Sequence, residues 1–310
     1  MAKLWENSLN FYCETSMLSY IEPVFRPPSE ARSLILQVTN GCSWNNCTFC
    51  EMYTQDQKKF KARKEEDVEQ DIIKASRMIQ PFEKVFLADG DAMVLPMRRL
   101  KAILEQIKQH MPWVKRVSSY CLPRNLNKKS VEDLAELKAL GLDILYIGCE
   151  SGDDEVLAKV NKGETYETQK TALEKIHAAG LRSSVMILNG LGGPKLSEQH
   201  AINSARLMNE TQPNYLSTLV VSFPLGDERL KKGFDDDWEL MDQTALFFEL
   251  KHFIENLELT NTIFRSDHAS NYLPLKGVLG KDKQAMLQQI ETALYHPDKV
   301  RLRQEWQRGL

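Results

Sequence analysis

The chain has 310 residues, a length that fits either two ordinary domains or one α/β barrel. Its 42% hydrophobic and 27% charged residues are typical of a globular protein and exclude disorder and a fibrous fold. The net charge of −3 gives no general basic face, so nucleic acid is neither indicated nor excluded as a partner. No apolar run reaches the roughly eighteen residues needed to span a bilayer, and the N-terminus lacks the apolar core of a signal peptide. We therefore expect a cytoplasmic protein without a membrane partner.

Apolar runs and helical patterns alternate along most of the chain. After an N-terminal extension over residues 1–30, six apolar runs predict strands at 33–38, 84–88, 116–120, 144–148, 183–188 and 216–221. Helical patterns lie between them at 64–79, 98–111, 130–140, 166–179 and 197–210. Strands that are buried on both faces and joined by crossover helices form parallel sheets. We therefore expect an α/β fold, a partial (β/α)6 TIM-like barrel over residues 31–226, with an open doubly wound sheet as the alternative.

The alternation of strands and helices stops after Pro224. The remaining pattern predicts a helix over 234–258, a polar loop and a last helix over 281–295. Residues 227–310 are therefore expected to form a helical and loop cap over the open side of the barrel. In either architecture the catalytic groups belong at the C-terminal ends of the parallel strands.

Three of the six cysteines, Cys42, Cys47 and Cys50, lie close together just after the first predicted strand. Such a group indicates metal ligands in a reducing compartment and not a disulfide framework. Three thiolates fit a [4Fe-4S] cubane that leaves one iron without a protein ligand. Structural zinc is the alternative, but it needs a fourth ligand. The other three cysteines are not spaced as a second pair, although their convergence in space stays open: Cys13, Cys121 and Cys149.

This pattern resembles the radical S-adenosylmethionine (SAM) superfamily. Three cysteines follow the first strand of a chain with six β-α units, and the last pair encloses an aromatic residue in Cys47-Thr48-Phe49-Cys50. The usual spacing in that superfamily is C-x3-C-x2-C, whereas this chain has C-x4-C-x2-C. Inserting one residue in a loop costs little free energy, so the departure bears on the subfamily more than on the cluster.

Other strand ends carry further matches to this family. Asp89-Gly90-Asp91 stands where the family has a Gly-Gly-Glu motif that takes the amino group of SAM, although an ordinary turn is the alternative. The segment from Gly148 to Gly152 is similar to the Gly-x-Glu-Ser-Gly of the branch with oxygen-independent coproporphyrinogen oxidase and elongator-type enzymes.

The resemblance to this branch also implies roles for single residues. Glu150 and Ser151 would hold the ribose hydroxyls of SAM, unless Glu150 is an ordinary loop carboxylate or helix cap. Arg182 would pair with the carboxylate of SAM, unless it is a solvated surface charge. Phe223, after the sixth strand, would flank the adenine.

The same resemblance implies an activity. An electron from a flavodoxin- or ferredoxin-type donor would drive reductive cleavage of SAM into methionine and a 5′-deoxyadenosyl radical, which abstracts hydrogen from a substrate inside the barrel. That substrate, a small molecule or a macromolecule, is not identified by the sequence. Candidates for contact with it are Tyr120, Cys121 and His268, for which packing or an idle surface position is the ordinary alternative. A non-catalytic barrel that carries heme or a cluster, and a zinc-binding α/β protein, are the other two interpretations.

Overall fold

The structure, a computed structural model, describes residues 18–79 and 82–308. In chain order its strands are β1 Leu34–Gln37, β2 Thr39–Asn40, β3 Lys61–Ala62, β4 Lys84–Ala88, β5 Arg116–Tyr120, β6 Leu142–Glu150, β7 Arg182–Asn189, β8 Tyr215–Val220, β9 Ile263–Ser266 and β10 Leu275–Val278. Its α-helices are α1 Glu65–Ser76, α2 Met97–His110, α3 Val131–Ala139, α4 Asp154–Lys159, α5 Tyr166–Ala178, α6 Gly193–Thr211, α7 Glu228–Gly233, α8 Gln243–Glu255 and α9 Lys283–Tyr295. None of the helices in the described ranges is long and apolar enough to cross a membrane.

Eight strands form one sheet in the order β1-β4-β5-β6-β7-β8-β9-β10, while β2 and β3 form a separate antiparallel hairpin. Neighbours from β1 to β9 pair in parallel, and β10 runs antiparallel to β9. The two edge strands, β1 and β10, do not pair with each other in the part of the chain that the structure describes, so the barrel is open. The predicted α/β partial barrel is therefore confirmed.

The five predicted crossover helices are all present, as α1, α2, α3, α5 and α6. Capping hydrogen bonds and glycines explain where these helices begin and end. Helix α3, for example, begins where the Ser130 hydroxyl accepts from the Asp133 amide at 3.1 Å and the Asp133 carboxylate accepts from the Ser130 amide at 2.9 Å. It ends before Gly141, whose φ of +108° suits the position after a helix.

The C-terminal segment differs from its sequence-based prediction. Strands β9 and β10, which the sequence pattern does not predict, extend the main sheet, so this segment is more than a helical and loop cap. The predicted helix over 234–258 is also wrong at its start, because Asp235 and Asp236 have φ values of +55° and +62°. Helix α8 begins later, where the Asp242 carboxylate accepts from the Ala245 amide at 2.8 Å. The division into residues 1–30, 31–226 and 227–310 stays a prediction.

The two faces of the sheet have different surroundings. The outer face contributes Leu36, Leu87 and Leu145 to a buried apolar core shared with the crossover helices. On the inner face, Tyr120 packs edge to face on Phe86 with ring centroids 5.0 Å apart, and Tyr146 joins them. The inner face is thus an aromatic wall that lies beneath the C-terminal ends of the strands.

A buried polar network lies at the N-terminal edge of the sheet. Glu30 is fully buried, and its carboxylate accepts from the Arg116 guanidinium at 2.6 Å and from the Tyr146 hydroxyl at 2.6 Å. Arg116 is the first residue of β5, so this network lies at the edge opposite the strand ends where functional residues are expected.

Candidate functional site

The three clustered cysteines lie on the loop that follows β2, at the C-terminal edge of the sheet. Cys42, Cys47 and Cys50 are free thiols, each partly exposed. Burial raises the pKa of all three, that of Cys47 to about 11. Without metal they are therefore neutral thiols, and binding iron as thiolates displaces protons.

The longer spacing between Cys42 and Cys47 is supported by contacts from other loops. The Trp44 indole donates to the Asn161 carbonyl at 2.8 Å, and the Arg124 guanidinium stacks on the Trp44 ring 3.8 Å from its centroid. Asn45 takes the left-handed conformation, with a φ of +44°, and its side chain donates to the Tyr53 carbonyl at 2.9 Å. The four intervening residues are therefore an ordered turn and leave the thiols on one loop.

The turn after β4 lies directly against this loop. A Cβ at Gly90 would lie 2.2 Å from the Gly41 carbonyl oxygen and 2.7 Å from the Cys42 Cα, so only glycine fits there. Asp91 accepts from the Ser43 amide at 2.8 Å and also from the Ser43 hydroxyl. The Asp89-Gly90-Asp91 segment is thus where the family resemblance requires it, but the Asp91 carboxylate holds the loop. Its role toward the amino group of SAM stays a prediction.

Asp89 has side-chain partners that no sequence motif indicates. Its carboxylate is fully buried, forms an ion pair with the equally buried Lys58, and accepts from the Tyr53 hydroxyl at 2.8 Å. The Lys58 ammonium also donates to the Ile21 carbonyl at 2.9 Å. This carboxylate is therefore committed to a buried ion pair, and a contact with SAM from Asp89 would come from its backbone.

Glu150 stands at the end of β6, beside the cysteine loop. Its Oε1 atom is 3.2 Å from the Lys162 ammonium, which lies 5.8 Å from the ring centroid of Phe49, between Cys47 and Cys50. Its Oε2 atom is buried and has no hydrogen-bond partner among the described residues. A buried carboxylate oxygen without a donor fits a ligand hydroxyl. The residues present therefore fit the predicted ribose contact, which stays a prediction.

Ser151, the next residue, makes hydrogen bonds within the protein. The His200 Nε2 atom lies 3.0 Å from the Leu188 carbonyl and must carry the proton, so His200 Nδ1 accepts from the Ser151 hydroxyl at 2.8 Å. The same hydroxyl oxygen accepts from the Asp153 amide at 3.0 Å. The hydroxyl hydrogen of Ser151 is thus already used, which leaves Glu150 as the stronger candidate for the ribose.

Arg182 is the one predicted SAM-binding residue that the structure places elsewhere. It is the first residue of β7, where it forms an ion pair with Asp143 and donates to the Tyr215 hydroxyl at 2.9 Å. In a parallel sheet the first residues of the strands lie at the N-terminal edge, a strand length away from the cysteine loop. The prediction that Arg182 binds the carboxylate of SAM is therefore wrong.

The remaining candidates follow or end three different strands of the sheet. Phe223 follows β8 and packs on Trp238 at 5.4 Å between ring centroids, in the apolar cluster that includes Phe49, so it lies at the cysteine end. Tyr120 belongs to the aromatic inner wall. His268 follows β9, where its Nδ1 lies 3.0 Å from the Ser270 hydroxyl; the missed strand thus carries it to the C-terminal edge.

Cys121 does not line the barrel, because its side chain is buried in the outer apolar core. The prediction that it faces a substrate is therefore wrong. Cys149 is buried in the same core, and Cys13 lies outside the described residues.

The donor set is compatible with a [4Fe-4S] cluster, because three thiols share one loop. In the described ranges no group of three or more His, Cys, Asp or Glu side chains converges as one ion requires. Zinc needs such convergence, with all ligand atoms about 2.0–2.3 Å from one centre. In a cubane each thiolate would bind a different iron, and one iron would stay without a protein ligand.

Comparison with known proteins supports this assignment. The family model described as the radical SAM superfamily matches residues 36–208, more than half of the chain. Among curated proteins, the chain is similar to the heme chaperone HemW of Bacillus subtilis, at 24% identity over 48% of this chain and 40% of that protein. It is also similar to the 4'-phospho-dehydrooxetanocin synthase of Priestia megaterium, at 27% identity over 48% of this chain and 22% of that protein. The matches thus span less than half the length of these relatives.

Solved structures share the fold at low sequence identity. Coproporphyrinogen III oxidase from Escherichia coli aligns with a TM-score of 0.56 and 18% identity, over 81% of this chain and 60% of that one. Methylornithine synthase aligns with a TM-score of 0.50 and 15% identity, over 88% and 74% of the two chains. With three cysteines on the loop after β2 and a family match over most of the predicted core, the chain belongs to the radical SAM superfamily, whose cofactors are a [4Fe-4S] cluster and S-adenosylmethionine.

Proposed function

We propose that this protein is an enzyme that cleaves SAM reductively and starts radical chemistry on a substrate held inside the open barrel. The observation that carries the proposal is the position of Glu150 beside the cysteine loop, where its buried Oε2 atom lacks a donor among the described residues. When bound, the cluster and SAM supply the electron transfer and the 5′-deoxyadenosyl radical. An electron donor of flavodoxin or ferredoxin type is part of the proposal.

The residues of this chain have defined tasks in the proposal. Cys42, Cys47 and Cys50 ligate the cluster, and Glu150 accepts from the ribose hydroxyls. Phe223 contributes an apolar face for the adenine. The aromatic inner wall with Tyr120 excludes water from the space where the radical meets the substrate.

The experiment that tests the proposal begins with anaerobic purification and analysis of iron and sulfide. The protein is then reduced with dithionite and assayed for 5′-deoxyadenosine formed from SAM. We expect iron in the wild type and SAM cleavage, and loss of both in Cys42→Ala. Cys121→Ala, which removes a core thiol instead, is the matched control and should retain iron. Full cleavage by Cys42→Ala, or zinc in place of iron, would contradict the proposal.

A second candidate is a heme or cluster carrier on the same scaffold. The observation in its favour is the similarity to a protein named as a heme chaperone, although the match covers 40% of that protein. The same preparation distinguishes the two candidates. Iron with stoichiometric heme binding and no 5′-deoxyadenosine supports the carrier, whereas cleavage without heme binding supports the enzyme.

A further inference from the structure

Arg229 reaches the cysteine loop from the C-terminal segment. It lies in α7, after β8, and its guanidinium forms two hydrogen bonds with the loop. Its Nη1 donates to the Cys50 carbonyl at 3.1 Å, and its Nη2 donates to the Cys47 carbonyl at 3.1 Å. One planar fork therefore holds the backbone of two of the three cysteines.

The helix that carries Arg229 is fixed against the same region. Leu230 is fully buried in the apolar cluster that contains Val160 and Trp238. A Cβ at Gly233 would lie 1.9 Å from the Lys159 carbonyl oxygen, so α7 packs closely on the end of α4. The Val160 carbonyl in turn accepts from the amide of Thr48, inside the cysteine loop, at 3.0 Å. The packing of α7 thus fixes the backbone of Arg229 beside the cysteine loop.

Arg229 also differs from Lys162 and Arg124, the other cations near the loop, in whether a carboxylate contacts it. Lys162 pairs with Glu150, and Arg124 pairs with Glu164 at 2.9 Å. Within the described part of the chain no carboxylate forms an ion pair with Arg229. Its guanidinium therefore donates to the cysteine loop without a carboxylate in contact among the described residues.

We propose that Arg229 is a positioning residue for the cluster: it keeps the turn from Cys47 to Cys50 in its ligating conformation and raises the reduction potential of the cluster. Reduction adds a negative charge, which a nearby cation stabilises. The proposal deepens the proposed function, because it rests on Cys47 and Cys50 being the ligands of the cluster.

The test compares Arg229→Gln, Arg229→Lys and the control Lys232→Gln, all reconstituted anaerobically. Lys232→Gln removes the same charge from an exposed position on the same helix. The readouts are iron content, the rate of iron loss to a chelator, and the midpoint potential from an EPR-monitored redox titration.

For Arg229→Gln we expect a more negative midpoint potential. At a fixed solution potential, the ratio of reduced to oxidised cluster should be lower by up to about tenfold. A tenfold change corresponds to about 59 mV for a one-electron couple. It should also lose iron to the chelator several-fold faster. Arg229→Lys keeps the charge but not the fork, so it should restore most of the potential and still lose iron faster than the control.

An Arg229→Gln variant whose potential and iron loss both match those of Lys232→Gln would overturn the inference. An Arg229→Lys variant that behaves like Arg229→Gln in its potential would overturn the electrostatic part. A wild type that takes up no iron would instead overturn the proposed function, so the two failures are distinguishable before any variant is compared.

Discussion

Glu150 combines a buried charge with an unusual backbone conformation. Its backbone φ is +66°, and its side chain is buried beside Lys162. A buried carboxylate is costly unless it is paired and hydrogen-bonded, and among the described residues only one of the two Glu150 oxygens has a partner. A ligand hydroxyl that reaches Oε2 removes part of that cost, which makes Glu150 a binding residue in our interpretation.

We predict that Glu150→Gln weakens SAM binding by about tenfold to a hundredfold, because a hydrogen bond to a charged group contributes about 1.5–3 kcal/mol. Calorimetric titration of the reconstituted protein with SAM measures the change. Glu155→Gln, at an exposed position on α4, is the control. Since Lys162 also loses its partner, thermal melting of Glu150→Gln with and without Lys162→Met separates loss of stability from loss of binding. Unchanged affinity in a folded Glu150→Gln would exclude the ribose role.

The buried pair of Lys58 and Asp89 gives a second prediction at the residue scale. Both side chains are fully buried, so Asp89→Asn leaves an uncompensated ammonium in the interior. We expect the free energy of unfolding to fall by about 3–5 kcal/mol. Denaturation by urea measures it. Glu136→Gln, which breaks the half-exposed ion pair with Lys101, should cost no more than about 1 kcal/mol. Equal losses in the two variants would contradict the argument.

At this scale, the residues that the sequence identified are those that stand next to one another in a motif. Glu150 follows a strand directly, as its motif requires, and the cysteines share one loop. Lys58 and Arg229 were missed, because each finds its partner far along the chain, 31 residues away for Asp89 and 179 for Cys50. Arg182 was assigned wrongly because it begins its strand, and the start of a parallel strand lies at the edge of the sheet away from the cysteine loop.

At the scale of elements, the cysteine loop is shaped by the turn that follows β4. Gly90 and Gly41 both have positive φ, and the backbones of the two turns touch at Gly90. Contact between these turns brings the loop after β2 to a fixed place at the C-terminal edge of the sheet. The loop thus owes its position to a neighbouring β-α unit as much as to its own sequence.

We therefore predict that Gly90→Ala lowers the iron content of the reconstituted protein, because its Cβ would overlap the backbone of Gly41 and Cys42. The expected loss of stability is about 1–3 kcal/mol, as for overpacking elsewhere. Gly180→Ala is the matched control: its φ of +74° is similarly unfavourable for alanine, but the space around it is open. Iron analysis and thermal melting measure both effects. A Gly90→Ala protein that binds as much iron as Gly180→Ala would contradict the prediction.

Elements with strong periodic patterns were predictable from the sequence, and short ones were not. Helix α5 was expected at 166–179 and spans Tyr166–Ala178. Strand β9 has four residues, Ile263–Ser266, of which only two are apolar, and the strand that follows it contains a glycine. β9 is a strand because β8 offers it a free edge, and β10 pairs in turn with β9, neither of which a local pattern can reveal.

At the scale of the whole molecule, the C-terminal segment is joined to the core through helix α8. Glu249 of α8 is buried, and its Oε1 atom accepts from the Gly190 amide, in the turn after β7, at 2.5 Å. His200 Nε2 lies 3.9 Å from the same oxygen, beyond hydrogen-bond distance. The Glu249 Oε2 atom has no partner among the described residues. Burial raises the pKa of this carboxyl. At a pH between the unfolded and the folded pKa, the folded protein therefore keeps a proton that the unfolded chain has released.

This raised pKa makes the stability of the molecule depend on pH. The contribution of Glu249 is fully present below the unfolded pKa of about 4.3 and falls as pH rises toward the folded pKa, by at most about 1.4 kcal/mol per pH unit. Glu249→Gln cannot ionise and keeps the oxygen that accepts from Gly190, so it should be more stable than the wild type at pH 8, with the difference shrinking by pH 5. Urea denaturation across this range measures it, with the exposed Glu239→Gln as control. The prediction would be contradicted if the free energy of unfolding changed with pH in the same way for the wild type and Glu249→Gln. The buried carboxyl would then ionise without cost, and this link between the C-terminal segment and the core would not be sensitive to pH.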